Sequence, residues 1–280
     1  MEEIKLKILG SVSPYSKDNK NCPGYLIKYN NQNILFDCGN GCTRLLNMSE
    51  DLNNLKIFIT HLHPDHIGDL ISLLQAIRVY RRYNLYKDNI DLYIPETFER
   101  VYDFRLYEDG WDRYVIGEKN SLEYDLVKRY AELAEVNLHK LTYKTELNNC
   151  VVEAKKALHD IESYSLKITT KIGTISYSGD TAETLSYNAD NGKGMILYKF
   201  VENSDIFICE STFLKDQKKN GALHLSTTDA AWIAKKANVK KLILTHFWPE
   251  IDKEEYVKEA KELFNNVEAA EEGKQYILRR

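Results

Sequence analysis

The densest group of chemically capable side chains lies between residues 60 and 66, in the sequence THLHPDH. It holds three of the seven histidines of a 280-residue chain, together with one aspartate. Imidazole nitrogens and carboxylate oxygens are the ligands that zinc and its first-row neighbours accept. The group follows an apolar, strand-like run and precedes a helix-like one, so its side chains should meet at the edge of a sheet. The pattern predicts a metal site on His61, His63, Asp65 and His66.

Other candidate ligands follow the ends of predicted strands elsewhere in the chain. His159 comes after VVEAKKAL, Asp180 after TISYSG, and His246 after KLILT. His224 stands just ahead of the helix-like TTDAAWIAKKA. Any one of them alone would be an ordinary surface or capping residue, but their shared placement favours a common site. His139, within VNLHKLTY, lacks that placement and is interpreted as structural.

These side chains need a scaffold of strands and helices, and the sequence alternates between the two from end to end. Period-two or continuous apolar runs predict strands, and apolar residues at helical spacing predict helices. Such mixing favours one α/β domain over residues 1–280, with a tyrosine-rich insert at about 84–148. The predicted strands include 24–29, 33–37 and 55–60, and the predicted helices are 67–83, 121–136, 227–237 and 252–264.

Charge and composition narrow the function class. The net charge of −4 argues against broad, non-specific binding to nucleic acid. No apolar run approaches the ~18 residues that a membrane span needs, and the acidic start MEEIKLKILG is unlike a signal peptide. Five scattered cysteines are expected to be reduced thiols, which predicts a cytoplasmic protein.

The insert is unusually aromatic, with ten of the 19 tyrosines lying between residues 80 and 143. These rings could fill a local core or a dimer interface, where aromatic anchors are common. They could also form a lid that stacks a base. The residues in question are Tyr80, Tyr83, Tyr86, Tyr93, Tyr102, Tyr107, Tyr114, Tyr124, Tyr130 and Tyr143, with Phe98, Phe104 and Trp111.

Taken together, the motifs resemble a known superfamily. THLHPDH resembles the HxHxDH signature of the metallo-β-lactamase superfamily, and the order of the other motifs resembles its ribonuclease Z-like branch of phosphodiesterases. The matching motifs are NILFDCGNG, ALHDIESYSLKI, SGDT, CESTF, HLSTTDAAWIA and LILTHF. The resemblance implies a metallo-β-lactamase fold, a four-layer αββα sandwich with two mixed β-sheets.

The resemblance also implies a centre with two metal ions. Zinc is expected, and manganese or iron accept the same ligand set. One ion would be held by His61, His63 and His159, and the second by Asp65, His66 and His246, with Asp180 between them.

Catalytic roles are implied for three residues. Two such ions activate water and neutralise charge in an in-line displacement at phosphorus, with Asp65 orienting the nucleophile. His224, oriented by Glu210, would protonate the departing alkoxide. Asp37, within NILFDCGNG, would orient the metal-binding loop through hydrogen bonds.

The substrate is less constrained than the chemistry. Transfer-RNA 3′ processing members of the branch usually carry a protruding arm between the isolated histidine and the bridging aspartate, but here only residues 160–179 separate them. Residues 78–146 hold 12 Lys/Arg against 14 Asp/Glu, whereas gripping tRNA would call for a basic excess. The opening ILGSVSPYSKDNKNCPGYLIKY resembles small members that cleave cyclic nucleotides, including anti-Pycsar phosphodiesterases.

The sequence therefore favours a homodimeric phosphodiesterase acting on a small phosphodiester, a cyclic nucleotide first. One alternative is a ribonuclease Z-like endonuclease that processes tRNA 3′ ends, with RNA as partner. A second is a non-catalytic, metal-containing nucleotide-binding module. Intact His224 and Glu210 argue against the second alternative, because a binder has no use for a proton donor.

Overall fold

Strands account for most of the regular structure in this computed structural model. The structure describes residues 2–107, 110–182 and 197–280, and for residues 98–118 it describes the backbone alone. The strands of this described part are β1 (Glu3–Gly10), β2 (Gly24–Tyr29), β3 (Gln32–Phe36), β4 (Leu55–Phe58), β5 (Asp91–Ile94), β6 (Phe98–Tyr107), β7 (Gly110–Asn120), β8 (Asn137–Lys140), β9 (Lys144–Glu146), β10 (Cys150–Lys156), β11 (Tyr164–Thr170), β12 (Thr174–Tyr177), β13 (Ile206–Glu210), β14 (Lys241–Thr245), β15 (Val267–Ala269) and β16 (Gln275–Arg279).

The helices are fewer, and several are single turns. The longest carry apolar residues at helical spacing and bury that face. The α-helices are α1 (Met48–Asp51), α2 (Pro64–Ile67), α3 (Leu70–Arg82), α4 (Leu122–Leu133), α5 (Leu197–Phe200), α6 (Thr227–Lys236) and α7 (Lys253–Lys261), and short 3-10 turns lie at Cys42–Leu45 and Lys215–Gln217.

Two seven-stranded sheets share one pairing pattern. The first sheet has the order β16-β1-β2-β3-β4-β5-β8, and the second has the order β15-β14-β13-β12-β11-β10-β9. Each sheet has three consecutive antiparallel pairings and three consecutive parallel ones; the antiparallel pairings come first in the order of the first sheet and last in the order of the second. Parallel neighbours end at the same edge, so each sheet has one edge where consecutive strand ends collect side chains.

Alternating side chains along the strands divide the core into layers. On β13, Ile208 faces the other sheet, whereas Phe207 packs with α6 and α7. On β3, Phe36 faces the second sheet and Leu35 packs towards α3 and α4. The order helix, sheet, sheet, helix is a four-layer αββα sandwich with two mixed sheets, which confirms the predicted fold class.

The predicted elements correspond closely to the observed ones near the ligand loop. Strand 24–29 is β2, and the helix predicted at 121–136 is α4. The helix predicted at 67–83 begins instead at Leu70. Asp69 stands at its N-cap, but its carboxylate accepts hydrogen bonds from the Thr43 backbone N–H and hydroxyl.

The segment 84–148 contributes to both sheets. Strands β5 and β8 extend the first sheet, β9 is at an edge of the second, and α4 packs on the first. Within the described part of this segment, the β6–β7 hairpin pairs only with itself. The predicted aromatic residues Phe98, Tyr102, Phe104, Tyr107, Trp111 and Tyr114 lie outside the described side chains.

The remaining tyrosines of the predicted aromatic set, which lie in that segment and at the end of α3, divide between core and surface. Tyr80, Tyr124 and Tyr130 pack against the helix-side core of the first sheet. Tyr83 and Tyr143 are exposed. His139, interpreted as structural, stacks on a neighbouring tyrosine ring of the segment and contacts the carboxylate of a sheet aspartate at 2.9 Å.

Two further findings concern membrane-spanning helices and the cysteines. Among the described residues no helix combines the length and the apolar character that crossing a bilayer requires. All five cysteines are buried free thiols, as the scattered spacing predicts.

Candidate metal centre

The THLHPDH segment forms a tight turn between strand and helix. His63 is the N-cap of α2 and Pro64 occupies its first turn, where a missing backbone N–H costs nothing. This arrangement places Asp65 and His66 on a single helical turn facing inward. His61 and His66 are completely buried, and Asp65 is nearly so.

The second sheet supplies three more candidates from its own strand ends. Asp180 follows β12, His246 follows β14 directly, and His159 follows β10. Gly179 has φ +58, and a Cβ there would lie 2.5 Å from the Tyr164 carbonyl oxygen, so only glycine fits before Asp180. The structure thus brings all seven predicted ligands, which are widely separated along the chain, to the facing edges of two sheets.

Three of the histidines converge through their ring nitrogens. His61 Nε2 lies 3.1 Å from His63 Nδ1, which lies 3.2 Å from His159 Nε2. Together with Asp180, their ligand atoms all lie within 4.8 Å of one another. This is the set that the resemblance assigned to the first ion.

The other three predicted ligands form a second set. His246 Nε2 lies 3.4 Å from Asp65 Oδ2, and His66 Nε2 lies 3.6 Å from the same oxygen. Asp180 lies between the sets, with Oδ1 3.3 Å from His66 Nε2 and Oδ2 3.6 Å from His61 Nε2. This grouping corresponds to the two ligand sets that the resemblance implied, and metal binding by these residues stays a prediction.

Hydrogen bonds on the outer side of the rings fix which nitrogen faces the centre. His66 Nδ1 donates to Asp37 Oδ2 at 2.7 Å, and His159 Nδ1 donates to the Leu223 carbonyl oxygen at 3.2 Å. The Thr60 hydroxyl donates to Asp37 and accepts from His61 Nδ1 at 3.0 Å. Each of these rings therefore turns Nε2 towards the centre, the arrangement that metal-binding histidines use.

This arrangement fits metal ions better than it fits protons alone. Burial lowers the pKa of His61 and of His63, so both rings are neutral at pH 7. Three ring nitrogens of the first set then lie within hydrogen-bond distance of His63 Nδ1 or of one another with at most one proton to share, and a cation placed among them would satisfy all three. His66 Nε2, His246 Nε2 and Asp180 Oδ1 are also buried, and in the described chain they make charge contacts with one another or with Asp65 but no well-formed hydrogen bond. Such orphaned atoms cost free energy unless a ligand satisfies them.

The second set is strongly charged, and its members shift one another's pKa values. Burial alone would lower the pKa of His246, but Asp180, Asp65 and Glu210 raise it to about 10. Burial would raise the pKa of Asp65 and of Asp180, yet the neighbouring histidines hold both well below their usual range. Ionised carboxylates are ready ligands, and a metal ion would replace the histidine protons.

A hydrogen-bonded pair lies beside this centre. Glu210, the last residue of β13, is completely buried and accepts a hydrogen bond from His224 Nδ1 at 3.2 Å. His224 Nδ1 is also 3.8 Å from Asp180 Oδ2, and the ring remains 24% exposed. Burial lowers the pKa of His224, but the charge and hydrogen bond of Glu210 raise it above its ordinary value.

Several contacts at the centre were not predicted from the sequence. The Ser13 hydroxyl donates to Asp65 Oδ2 at 2.8 Å, although the two are 52 positions apart and nothing in the sequence links them. Thr212 contacts both His246 Nδ1 and Glu210 Oε2. Asp160 Oδ1 lies 3.1 Å from His159 Nε2. Thr212 and Asp160 each lie within two positions of a residue predicted from the sequence. This proximity is the signal that could have identified them.

An αββα sandwich whose facing sheet edges carry this histidine and aspartate cluster defines a metal-dependent hydrolase of the metallo-β-lactamase superfamily. Within its ribonuclease Z-like branch, the chain belongs to the family described as Anti-Pycsar protein Apyc1, whose model matches residues 4–267.

Individual relatives agree with this placement. A ribonuclease Z of Methanocaldococcus jannaschii is 30% identical over 295 residues, which cover 90% of this chain and 88% of that protein. The metallo-β-lactamase fold protein YhfI of Bacillus subtilis has a TM-score of 0.76 at 21% identity, over 98% of this chain and 99% of its own. Human short-form tRNase Z has a TM-score of 0.68 at 22% identity, over 99% and 100%. The two structural likenesses establish the fold.

Proposed function

We propose that this protein is a dinuclear phosphodiesterase whose substrate is a small phosphodiester. A cyclic nucleotide is the first candidate for that substrate. His61, His63 and His159 would hold one ion, and Asp65, His66 and His246 the other, with Asp180 shared. Two bound divalent ions, zinc first, supply Lewis acidity towards a phosphoryl group and make water nucleophilic near neutral pH.

The observation that carries the phosphodiesterase proposal is the His224–Glu210 pair. The charge and hydrogen bond of Glu210 raise the pKa of His224 above its ordinary value, which favours the protonated ring, and Glu210 fixes the ring through Nδ1. Nε2 is then on the side of the ring away from Glu210, free to donate to a substrate. A proton donor of this kind is useful when the leaving group is a poor one, such as the alkoxide of a ribose.

The small size of the proposed substrate rests on the residues between His159 and Asp180. In this interval the chain forms β11 and β12, joined by the short turn at residues 171–173. No arm extends from this fully described stretch to grip a folded RNA. The near balance of charge over residues 78–146 also argues against a docking surface for tRNA there.

A ribonuclease Z-like activity on tRNA 3′ ends is the second candidate. It is favoured by the ribonuclease Z of M. jannaschii, which matches this chain over most of its length. A docking surface for tRNA would then have to come from elsewhere, for example from a partner subunit.

A panel of substrates separates the two candidates. Metal-loaded protein would be assayed on 3′,5′- and 2′,3′-cyclic nucleotides and on a pre-tRNA with a 3′ trailer, each with zinc or manganese. We expect turnover of a cyclic nucleotide. Cleavage of the pre-tRNA alone would favour the ribonuclease Z activity, and no turnover of any phosphodiester by metal-loaded protein would favour a nucleotide-binding module.

The proton donor has its own test. His224→Ala should lower kcat by about 10²–10⁴ for a ribose leaving group but far less for a p-nitrophenyl ester, whose leaving group needs no proton. His139→Ala, an exposed histidine bonded to Asp91, is the matched control and should change neither rate. Equal losses on both substrates would refute proton donation by His224.

Two further proposals concern the setting of the enzyme. We propose a homodimer, because Val79, Tyr83, Leu85, Leu122 and Leu126 leave apolar area exposed on and beside α3 and α4. We also propose a reducing, cytoplasmic location, because all five cysteines are free. Sedimentation of the protein and fractionation of its source cells test the two statements.

A further inference from the structure

An exposed pair of aromatic rings lies close to the second ligand set. Tyr15 and Trp248 are each 41% exposed, and their ring centroids are 6.2 Å apart with the planes at 77°. Large rings are seldom left this open in pairs when they serve only to fill a core. This pair is therefore a candidate for contact with a ligand.

The backbone ties both rings to the metal centre. Ser13, two residues before Tyr15, donates to Asp65 Oδ2, and Trp248 stands two residues after His246. Two residues of chain span at most about 7 Å, so the backbone of Tyr15 lies within that distance of Ser13 and the backbone of Trp248 within that distance of His246. The segments run side by side, joined by hydrogen bonds between Ser13 and Phe247 and between Phe247 and Ser11.

Polar contacts hold the pair in place before any ligand arrives. The Tyr15 hydroxyl donates to Glu250 Oε1 at 2.9 Å, and Lys17 pairs with the other oxygen of the same carboxylate. Lys20 Nζ donates to the Pro249 carbonyl oxygen at 3.2 Å. Rings fixed in this way lose little conformational freedom on binding, which favours affinity.

The geometry of the pair suits a flat, aromatic guest. In an edge-to-face pair, one ring meets the other with its edge and keeps its own faces free, so the two planes form an open corner. A flat base can stack on one ring and meet the other at its edge. The rim residues beside the other ligand set, Leu158 and Leu223, are also exposed but are aliphatic, and so offer no ring face.

We propose that Tyr15 and Trp248 form the base-binding subsite of this enzyme and select substrates that carry an aromatic base beside the phosphodiester. This inference rests on the proposed function, because it assumes that the phosphate group lies over the metal centre. One substrate molecule would then reach from the ligand cluster to the two rings.

Binding of two product-like ligands tests the subsite without any turnover. Adenosine 5′-monophosphate and ribose 5-phosphate share the sugar phosphate and differ in the base. Isothermal titration of metal-loaded protein should show tighter binding of the nucleotide by about 5- to 150-fold, the range that stacking of one base provides. Equal affinities for the two ligands would overturn the proposal.

Variants assign any preference to the two rings. Tyr15→Leu and Trp248→Leu keep apolar area but lose the flat face, so each should reduce the ratio of affinities while leaving ribose 5-phosphate binding unchanged. Tyr15→Phe and Trp248→Tyr keep a ring and are the matched controls, and both should retain the preference. A ratio that stays at the wild-type value in both leucine variants, or ribose 5-phosphate affinity lost in parallel, would refute a base subsite.

A fluorescence experiment gives a readout that tolerates poor folding of a leucine variant. The chain has three tryptophans, so Trp111→Phe combined with Trp232→Phe leaves Trp248 as the sole reporter. Adenosine 5′-monophosphate should quench its emission and ribose 5-phosphate should not; no quenching at saturation would overturn the proposal. If cyclic nucleotides are never hydrolysed yet the base preference is present and ring-dependent, the proposed function fails and the subsite stands. If cyclic nucleotides are hydrolysed without any ring-dependent preference, the proposed function stands and the subsite fails.

Discussion

Replacement of Asp37 by asparagine should weaken one metal site more than the other. Asp37 is completely buried, with Oδ1 accepting the Thr60 backbone N–H at 2.7 Å and Oδ2 accepting His66 Nδ1–H at 2.7 Å. Its φ of +55° is in the left-handed region, which asparagine tolerates well, so the substitution leaves the backbone unstrained. The change is therefore confined to hydrogen bonding.

The consequence follows from counting donors and acceptors in Asp37→Asn. The backbone N–H of Thr60 is a fixed donor, so the single amide oxygen of the introduced side chain must face it, and the amide NH₂ then faces His66. His66 Nδ1 would have to accept, which moves the ring proton to Nε2. That nitrogen faces Asp180 Oδ1 at 3.3 Å, and once protonated it cannot bind a metal ion.

Loss of a hydrogen-bond partner of this kind costs about 10- to 100-fold in metal affinity, or about 1.4–2.7 kcal/mol. The ligand set that loses metal affinity should be the one formed by Asp65, His66 and His246. The set of His61, His63 and His159 should keep its affinity, because the Thr60 hydroxyl can still donate to the amide oxygen of the variant and accept from His61 Nδ1. Metal release from the variant should therefore occur in two steps.

The assay is elemental analysis of protein equilibrated with a graded series of chelator concentrations. Asp69→Asn is the matched control, since its carboxylate receives two hydrogen bonds from Thr43, beside the same loop, but contacts no predicted ligand. The control should release metal as the wild type does. A variant at Asp37 that retains both ions at wild-type affinity, or loses both together, would refute the tautomer argument.

Three further outcomes are expected. Asp180→Ala should lose metal and activity together, because its two oxygens face both ligand sets; elemental analysis showing both ions retained would contradict the bridging role. Because the pKa of His246 is raised to about 10, metal binding should tighten between about pH 6 and about pH 8 and release about one proton from this ring, measurable by calorimetry in two buffers. In the metal-free protein, protonated His246 pairs with Asp180 and Asp65. This pairing stabilises the fold fully below about pH 6.5, and the stabilisation is lost as the pH rises through about 10. Burial opposes ionisation of Asp91, but hydrogen bonds from Lys56, His139 and Asn137 lower its pKa to about 2. Asp91→Asn should therefore cost about 1–2 kcal/mol of unfolding free energy at pH 7, a difference that shrinks between about pH 4 and about pH 2; a constant difference in urea titrations across that window would contradict it.

The resemblance of the ordered motifs implied the αββα fold, which the structure confirms, and the partition of the ligands, which stays a prediction. The sequence itself showed polar candidate residues after the ends of apolar strands, and the structure brings them together because parallel strands end at a common edge. The prediction of the insert at 84–148 was coarser. Strands β5 and β8 are only four residues each, so their alternation is too brief to distinguish from a loop.

The contacts that orient the predicted ligands depend on tertiary structure, and most of them could not be predicted from the sequence. Ser13 contacts Asp65 only because Val12 pairs with Phe247, a bridge between opposite ends of the chain. The carbonyl oxygen that fixes the His159 tautomer belongs to Leu223, and a backbone atom leaves no trace in a sequence. Motifs predict which side chains are ligands, but they do not predict the atoms that hold those side chains in place.

The shared pairing pattern of the two sheets explains why the site is located where it is. Asp37 follows β3 and Asp180 follows β12, the corresponding first parallel strands of the two sheets. Gly39 permits the close approach of the segment after β3 to the THLHPDH loop, since a Cβ there would lie 2.0 Å from the Asp65 carbonyl oxygen. Each ligand set draws on both sheets, with His159 or His246 completing a group that begins in the THLHPDH loop. Bound metal ions would therefore join the two halves of the sandwich as well as serve the chemistry, because neither half alone holds a complete set.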